Sequence, residues 1–410
     1  VKKFFSTDFL HETPYRQIAV FGIPVILFGI VLVSCFASKG SQQFADLANA
    51  FIHGQLNFLK PIGGLGQDPV FYKGKIFWDD GPFPALLLIP FVALFDLFHL
   101  TYYQGYLMWL IAACVPLFIY AIARKLGYSK EDGWLLGLSF ALGSVFIGVT
   151  SISSSWFFAQ VLNTFLLFWA LYEFYYHKRY WWIGILCACV LMTRATSIPI
   201  VLFFALEIWQ GRGNHKQKLF QYVQLGAPLL VAIVLLGTYN YLRFQSPFNG
   251  GYMMQLLHGN AVESRAIGVF SIKHIPTNFY YAFLTAPVPV TRDTTSWTLR
   301  FPFIADNVYG MSLFITSPYY LYFFGQKWRA FNIHARNLLI ATVATALIVF
   351  SYYGVGLIQF GYRYSLDFLP TLFVLFMIVY RKTHSNTTTG MKTLLIGAGI
   401  LDFYLLWTLI

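Results

Sequence analysis

The chain has 410 residues, of which 58% are hydrophobic, 20% aromatic and only 11% charged, with a mean hydropathy of +0.61; soluble domains carry roughly 25% charged residues. A single water-soluble core stops growing near ~250–300 residues, so this much apolar surface requires lipid as the solvent for most of the chain. The formal charge of +12 is spread in short clusters between apolar runs, which argues against a nucleic-acid-binding face, and no Walker loop, Rossmann glycine fingerprint or His-Glu-x-x-His motif supports nucleotide hydrolysis or zinc proteolysis.

A polar, basic start (Lys2, Lys3, Arg16) leads into an apolar run over residues 17–38 with no small-residue cleavage site close behind it, so it reads as an uncleaved first span. Further apolar runs fall at about residues 103–123, 134–152, 156–176, 181–209, 222–242, 309–325, 337–358, 365–380 and 394–407. Basic clusters punctuate them: Arg124, Lys125 and Lys130; Lys178 and Arg179; Arg212, Lys216 and Lys218; Lys327, Arg329 and Arg336; Arg381, Lys382 and Lys392. Placing all of these in the cytoplasm satisfies the positive-inside rule from end to end.

That placement has two consequences. The run at 181–209 has basic loops on both sides, so it crosses twice or dips in and returns, with Arg194 near its turn. Residues 82–98 are marginal for spanning and are expected to form a helix in or near the interface. The expected fold is therefore an all-α integral membrane protein, a single polytopic domain over 1–410 with about 11 transmembrane helices. Its N-terminus is cytoplasmic, its C-terminus is outside, and its long outer loops lie at 39–102 and 243–308.

Only 16 acidic residues exist, and Asp46, Asp68, Asp79, Asp80, Asp96, Glu263, Asp293 and Asp306 all fall on the outer segments. Residues 43–55 predict a short amphipathic helix closed by Gly54, with Phe44, Leu47, Ala48 and Phe51 on one face and Asp46 and Asn49 on another. Residues 72–78 predict a small hairpin that leads through Asp79-Asp80-Gly81-Pro82 into the interfacial helix. Adjacent side chains of an extended segment point to opposite faces, so one of Asp79 and Asp80 is expected to face a site. Arg194 within an apolar run is a functional candidate by default, whereas Arg363 and Asp367, four apart, are expected to pair with each other. A stretch over 266–284 with Pro276 inside it reads as another surface helix. The four cysteines lie in apolar runs as small hydrophobes, and the nine histidines show no ligand spacing. The Asn386-Thr387-Thr388 sequon falls on the cytoplasmic side and is expected to be silent.

The order of first span, acidic amphipathic helix ending in Gly54, Tyr72-x-Gly74-Lys75, Gly81-Pro82-x-Pro84-Ala85 and interfacial helix resembles the GT-C superfamily, especially uncharacterised relatives of glycosyltransferase family 39. Asn240-Tyr241-x-Arg243-Phe244, Met311-Ser312 through Thr316-Ser317-Pro318, and Phe360-Gly361-Tyr362-Arg363-Tyr364 with Asp367 are similar to the same relatives. The resemblance implies a membrane glycosyltransferase that moves a sugar from a polyprenyl-phosphate donor to an unknown acceptor on the outer face, with inversion, in a prokaryotic plasma membrane. A carboxylate would take the acceptor proton, a role typically worth ~10²–10⁴-fold; Asp46 is the first choice, then Asp79 and Asp80. Lys73, Lys75, Arg194, Arg243, Tyr362 and Arg363 are the candidates for binding substrate, the cations by stabilising the departing phosphate.

No cofactor is assigned, and a divalent cation is left open. Two departures from the resembled pattern stand out: Gly40-Ser41 occupies the place of an acidic residue or acidic pair after the first span, and Ser153-Ser154-Ser155 forms the outer turn where a second carboxylate is common. Those departures keep a non-catalytic subunit in view, and the many spans with Arg194 among them keep a transporter or flippase of a lipid-linked substrate.

Overall fold

The computed structural model describes residues 40–60, 68–257, 259–293 and 297–409; the expected first span at 17–38 lies outside them. Helix α1 (Gln43–Ile52) buries Phe44, Leu47 and Ala48 and is closed by Gly54 at φ +70°. Strands β1 (Val70–Tyr72) and β2 (Lys75–Phe77) form the expected hairpin around Lys73-Gly74, and α2 (Phe83–Asp96) follows with Pro84 in its first turn. Proline is tolerated there because that backbone N–H has no helical acceptor.

The membrane bundle continues with α3 (Gly105–Lys125), α4 (Lys130–Leu142), α5 (Phe146–Ser151), α6 (Ser155–Tyr176), α7 (Tyr180–Leu191), α8 (Ile200–Gln210) and α9 (His215–Phe244). Beyond α10 (Asn260–Ala266), α11 (Ile275–Phe283), the hairpin β3 (Val288–Thr291) and β4 (Leu299–Ala305), and the single turn α12 (Leu313–Thr316), it ends with α13 (Ile333–Ser351), α14 (Leu369–Thr383) and α15 (Thr389–Leu409). Among the described residues α3, α6, α9, α13 and α15 are long and apolar enough to cross a membrane. The other expected crossings are shorter or broken: α4 gives way to α5 at Gly143, and the run at 309–325 becomes α12 followed by a 3-10 stretch, Pro318–Gly325.

The apolar run at 181–209 reverses. At 1.5 Å per residue α7 and α8 are each under about 20 Å long, short of the ~30 Å hydrocarbon core. Gly184 lies against the carbonyls of Gln224 and Leu225, while Leu191 shares a groove with Ile233 and Val234, so α7 runs parallel to α9. Tyr222 donates to the Ala205 carbonyl at 2.9 Å and Lys218 to the Trp209 carbonyl at 2.6 Å, so α8 runs antiparallel to it. The turn between them holds Arg194.

The basic clusters gather at one end of the bundle. Arg381 donates to the Gly127 carbonyl (3.0 Å), Lys392 pairs with Asp132 (3.1 Å), Lys382 donates to the Arg329 carbonyl (3.0 Å), and Gln210 meets Asn337 (3.1 Å). Three of the helices that begin at this end are capped: Ser129 accepts from Asp132 N, Asn214 forms a capping box with Gln217, and Asn332 accepts from Ala335 N. At the core, Phe140 meets Phe168 and Phe373 edge to face, with centroids 4.9 and 5.2 Å apart, the arrangement ring quadrupoles favour.

The expected surface helix over 266–284 is two pieces, a 3-10 turn at Ile272–His274 and then α11. Pro276 sits in the first turn of α11, where it starts the helix and does not interrupt it.

The first outer loop reaches the bundle through one close backbone contact. Phe83 N donates to the Met192 carbonyl at 3.1 Å, and a Cβ on Gly81 would lie 2.0 Å from that same oxygen and 2.5 Å from the Met192 carbonyl carbon. Those atoms are backbone and cannot rotate away, so only glycine lets residues 79–83 dock at the end of α7. Overpacking typically costs ~1–3 kcal/mol. Gly81→Ala is expected to lower stability in detergent by that order, read as a lower thermal midpoint, and to displace the Asp79-Asp80 segment, read as faster proteolysis of the loop; unchanged stability and proteolysis would mean that this docking contributes little.

Candidate functional site

The polar chemistry of the chain concentrates at the end of the bundle opposite the basic loops, where the docked loop, the turn after α7, the end of α9, residues 252–255 and the turn before α14 converge. Three carboxylates (Asp79, Asp80, Asp367) and three guanidinium groups (Arg194, Arg243, Arg363) meet there.

Arg194 holds Asp367 with two parallel hydrogen bonds, Nε to Oδ1 at 2.7 Å and Nη2 to Oδ2 at 2.9 Å. Asp367 also accepts from the Thr196 hydroxyl at 2.5 Å and from Asn163 Nδ2 at 3.3 Å, the latter projecting from the buried helix α6. The expected pairing of Asp367 with Arg363 does not form. Residues Arg363–Asp367 are a 3-10 turn, and at three residues per turn positions i and i+4 do not align.

Arg363 is left with a different set of partners. Its Nε donates to Gln359 Oε1 at 2.9 Å and its Nη2 approaches the Tyr364 hydroxyl at 3.4 Å, while its guanidinium packs over Phe157 and Tyr364. The residue is 7% exposed, and its Nη1 is buried with no hydrogen-bond partner. Arg243 is also buried. It donates to the Trp78 carbonyl and to Asn240 Oδ1 (2.8 Å) and lies 3.8 Å from the centre of the Tyr239 ring. It thereby grips the backbone immediately before Asp79.

The two aspartates do not face opposite ways. Strand β2 stops at Phe77, so the alternation of extended chain ends before them, and both turn toward the segment 252–255. Asp79 accepts from Gln255 Nε2 through Oδ2, and its Oδ1 is buried without a partner. Asp80 accepts from the Tyr252 hydroxyl at 3.3 Å through Oδ1, and its Oδ2 is buried without a partner. Burial pushes the Asp79 carboxyl well above the usual carboxylate range, with Asp80 and Asp68 adding to the rise and Arg243 opposing it. Burial raises Asp80 as well, opposed by Arg194, the Tyr252 hydroxyl and Arg363.

The other sequence candidates lie elsewhere. Asp46 is on the exposed face of α1, away from the face on which Phe44 packs edge to face against Trp78 at 5.9 Å. Lys73 and Lys75 occupy the exposed hairpin turn, where Lys73 donates to Gln245 Oε1 at 2.8 Å. Tyr362 is 1% exposed and donates to Asn278 Oδ1 at 2.8 Å. Sequence reasoning missed Tyr252 and Gln255. The only hint of them is the Asn249-Gly250-Gly251 turn, which reverses the chain just before Tyr252 and sets Gly251 at φ +98°.

No group of three or more His, Cys, Asp or Glu side chains among the described residues is placed to hold a metal ion; Asp79 and Asp80 are engaged by an amide, a hydroxyl and neighbouring cations. Beside the polar cluster runs an apolar groove of about 550 Å³ lined by Leu191, Ile233, Val234, Gly237, Asn240 and Phe248 among others. It meets the cluster at Asn240, the residue that also binds Arg243.

No family model and no curated protein matches this chain. Among solved structures it is similar to the Archaeoglobus fulgidus oligosaccharyltransferase in the apo form, at 11% identity and a TM-score of 0.48, covering 97% of this chain and 56% of that one. It is similar also to the archaeal oligosaccharyltransferase AglB from Archaeoglobus fulgidus in complex with an inhibitory peptide and a dolichol-phosphate, at 13% identity and a TM-score of 0.47, covering 96% of this chain and 56% of that one. The chain thus spans little more than half the length of these oligosaccharyltransferases.

Proposed function

We propose that the chain is a membrane glycosyltransferase that moves a sugar from a polyprenyl-phosphate donor to an acceptor hydroxyl, with inversion, at the non-cytoplasmic face. The observation that carries this reading is a group of open valences at one buried site: Asp79 Oδ1, Asp80 Oδ2, Arg243 Nε and Arg363 Nη1 each lack a partner, and the Arg363 charge acts on Asp80. A buried polar group without a partner costs about 1–3 kcal/mol, more when charged, so such atoms call for a ligand that completes them.

The chemistry follows from the charges. The acceptor oxygen attacks the anomeric carbon, the bond from that carbon to the phosphate oxygen breaks, its electron pair leaves with the lipid phosphate, and the acceptor proton passes to Asp80. Adjacent buried carboxyls resist ionising together. With a proton on Asp79, Asp80 remains the base. Asp367 matches Arg194, which leaves Arg243 and Arg363 as fixed cations for a departing phosphate, and fixed charge at the developing anion is commonly the largest catalytic term. The groove between α7 and α9 offers the lipid tail an apolar path that ends beside the phosphate-binding groups.

The test is transfer of labelled sugar from a panel of polyprenyl-phosphate sugars by purified protein in lipid. Asp80→Asn is expected to lower turnover by ~10²–10⁴-fold, the usual worth of a general base, and Arg363→Gln to weaken donor binding, while Asp46→Asn stays near wild type. Loss of transfer in a folded Asp46→Asn with Asp80→Asn unaffected would move the base to α1. No transfer with any donor, together with protein-dependent movement of the lipid across the bilayer, would favour a flippase, a reading to which the helix break at Arg194 lends support.

The pH profile has a definite sign. Burial raises the Asp80 carboxyl above the ordinary aspartate value of 3.8, so the active, ionised form is lost at a higher pH than for a free aspartate. Turnover is therefore expected to climb with pH through an apparent value above 3.8 that belongs to the Asp79–Asp80 pair jointly. A profile flat down to pH 4 would remove both from the base role.

The orientation has its own test. With the basic end in the cytoplasm, a cysteine at Ser385 is expected to resist an impermeant maleimide applied outside intact cells, and one at Lys75 to react. The reverse pattern would invert the topology and put the site on the cytoplasmic face.

A further inference from the structure

We infer that the β3–β4 hairpin is an interfacial anchor whose aromatic ridge inserts into the lipid headgroup and acyl boundary beside α15. It is a lipid-binding surface separate from the carboxylate and guanidinium cluster.

The hairpin is fixed to the last two turns of α15. Tyr404 donates its hydroxyl to the Pro302 carbonyl, and the Thr408 hydroxyl accepts from Asp306 N at 3.0 Å. Pairing between the strands shifts register between Pro289 and Thr291, and Phe303 sits at φ +68°, a conformation that a bulky side chain rarely adopts. The irregular strand leaves its large side chains outward. Phe301 contacts Trp407 with centroids 5.6 Å apart and Phe303 at 6.1 Å, yet Phe301, Phe303 and Trp407 are 62%, 51% and 58% exposed. Three aromatic rings, joined through Phe301 and each more than half open, form a ridge that no other described residue covers.

Its depth identifies the occupant. Ile396, Ile400 and Trp407 are exposed along one side of α15 at helical spacing, a stripe that lipid covers in a spanning helix. Lys392 pairs with Asp132 at the basic end, and the residues from there to Trp407 rise ~23 Å. This leaves Trp407, and the hairpin fixed beside it, within about 7 Å of the far edge of the ~30 Å hydrocarbon layer, near the interface where Trp and other amphipathic rings concentrate. Arg292 and Arg300 are exposed on the same hairpin, cations of the kind that lipid phosphates attract. The ridge thus continues the lipid-facing stripe of α15 into the headgroup region.

The anchor also has a path to the site. Past β4 the chain runs through Gly310, which packs against the Gly361 carbonyl, and Met311, whose carbonyl accepts from Tyr362 N at 3.1 Å. Tyr362 immediately precedes Arg363. The hairpin is thus joined through residues 306–311 to the segment that carries Arg363.

The test uses the full chain in phosphatidylcholine–phosphatidylglycerol vesicles. Nitroxide labels are placed at Phe301→Cys, Phe303→Cys and, as an aqueous control, Lys75→Cys in a background without native cysteines, and are read by collision with oxygen and with a nickel chelate. The oxygen-to-nickel ratio is expected to be several-fold higher at 301 and 303 than at 75. Ratios equal to that at Lys75 would place the hairpin in water and overturn the proposal. Low collision with both reagents and spin–spin broadening that is relieved on dilution with unlabelled chain would put a second copy on the ridge, and would also overturn it. A second measurement leaves the cysteines in place. Quenching by bromolipids is expected to fall when Trp407→Phe removes a contributor at the interface, and no change would count against the anchor.

Discussion

The bidentate contact between Arg194 and Asp367, 2.7 and 2.9 Å across a separation of 173 residues, is the constraint around which the polar end of this molecule is arranged. A guanidinium at the apex of an apolar hairpin is tolerable only with its charge matched and its donors occupied, because removing one partner of a buried ion pair commonly costs ~3–5 kcal/mol. Asp367 meets that demand and is itself held by Thr196 and Asn163, so the turn after α7, the buried helix α6 and the turn before α14 are locked to one another. The reversal of the chain between α7 and α8 can then present Met192 as an acceptor for the first outer loop, and Gly81 lets that loop come close enough to use it.

The three arginines divide by what satisfies them. Arg194 has a carboxylate. Arg243 has a backbone carbonyl, an amide and two aromatic rings, Tyr239 and Phe244, with its Nε left over, and it holds Trp78 and thus the position of Asp79. Arg363 has an amide, a distant hydroxyl and two rings, with one nitrogen left over. Cation–π contact offsets part of the desolvation of a guanidinium, on the order of 2 kcal/mol when water is excluded, but it does not neutralise the charge. Arg243 and Arg363 thus each keep one nitrogen open, and Asp79 and Asp80 each keep one carboxylate oxygen open beside them.

Much of this architecture was legible in the sequence because lipid imposes simple rules. The spanning lengths of α3, α6, α9, α13 and α15, the one-ended gathering of basic loops, the reversal near Arg194 and the hairpin before Asp79 all follow from run length, charge position and turn residues. The site was less legible because it is made by tertiary contact. Asp46 has the right chemistry and lies in the right loop, but the helix face that Phe44, Leu47 and Ala48 bury leaves it outside. Arg363 and Asp367 have the spacing of a helical ion pair, but Gly361 at φ +64° and the turn that follows it keep them off an α-helix. Gln255 and Tyr252 carry no local signal, since an amide and a phenol in a loop are ordinary until the fold sets them against two carboxyls.

The two departures from the resembled pattern are, in space, a single feature. Ser155 N donates to the Ser41 carbonyl at 3.1 Å, and Gln104 Nε2 bridges the Ser41 and Ser153 carbonyls at 2.9 and 2.6 Å. A Cβ on Gly40 would stand 2.8 Å from Ser154 N and 2.9 Å from its hydroxyl, so the segment at 40–41 and the serine turn occupy the space that side chains at either place would need. A carboxylate introduced at Gly40 would force the two segments apart, and one at Ser153 or Ser155, both buried, would bring a charge into a contact already filled by backbone and amide groups. Each departure makes the other structurally necessary, and neither is evidence by itself that the chain has lost its chemistry. Further along the same loop, Asp79 and Asp80 enter the bundle on a segment that glycine allows to dock and that Arg243 holds in place.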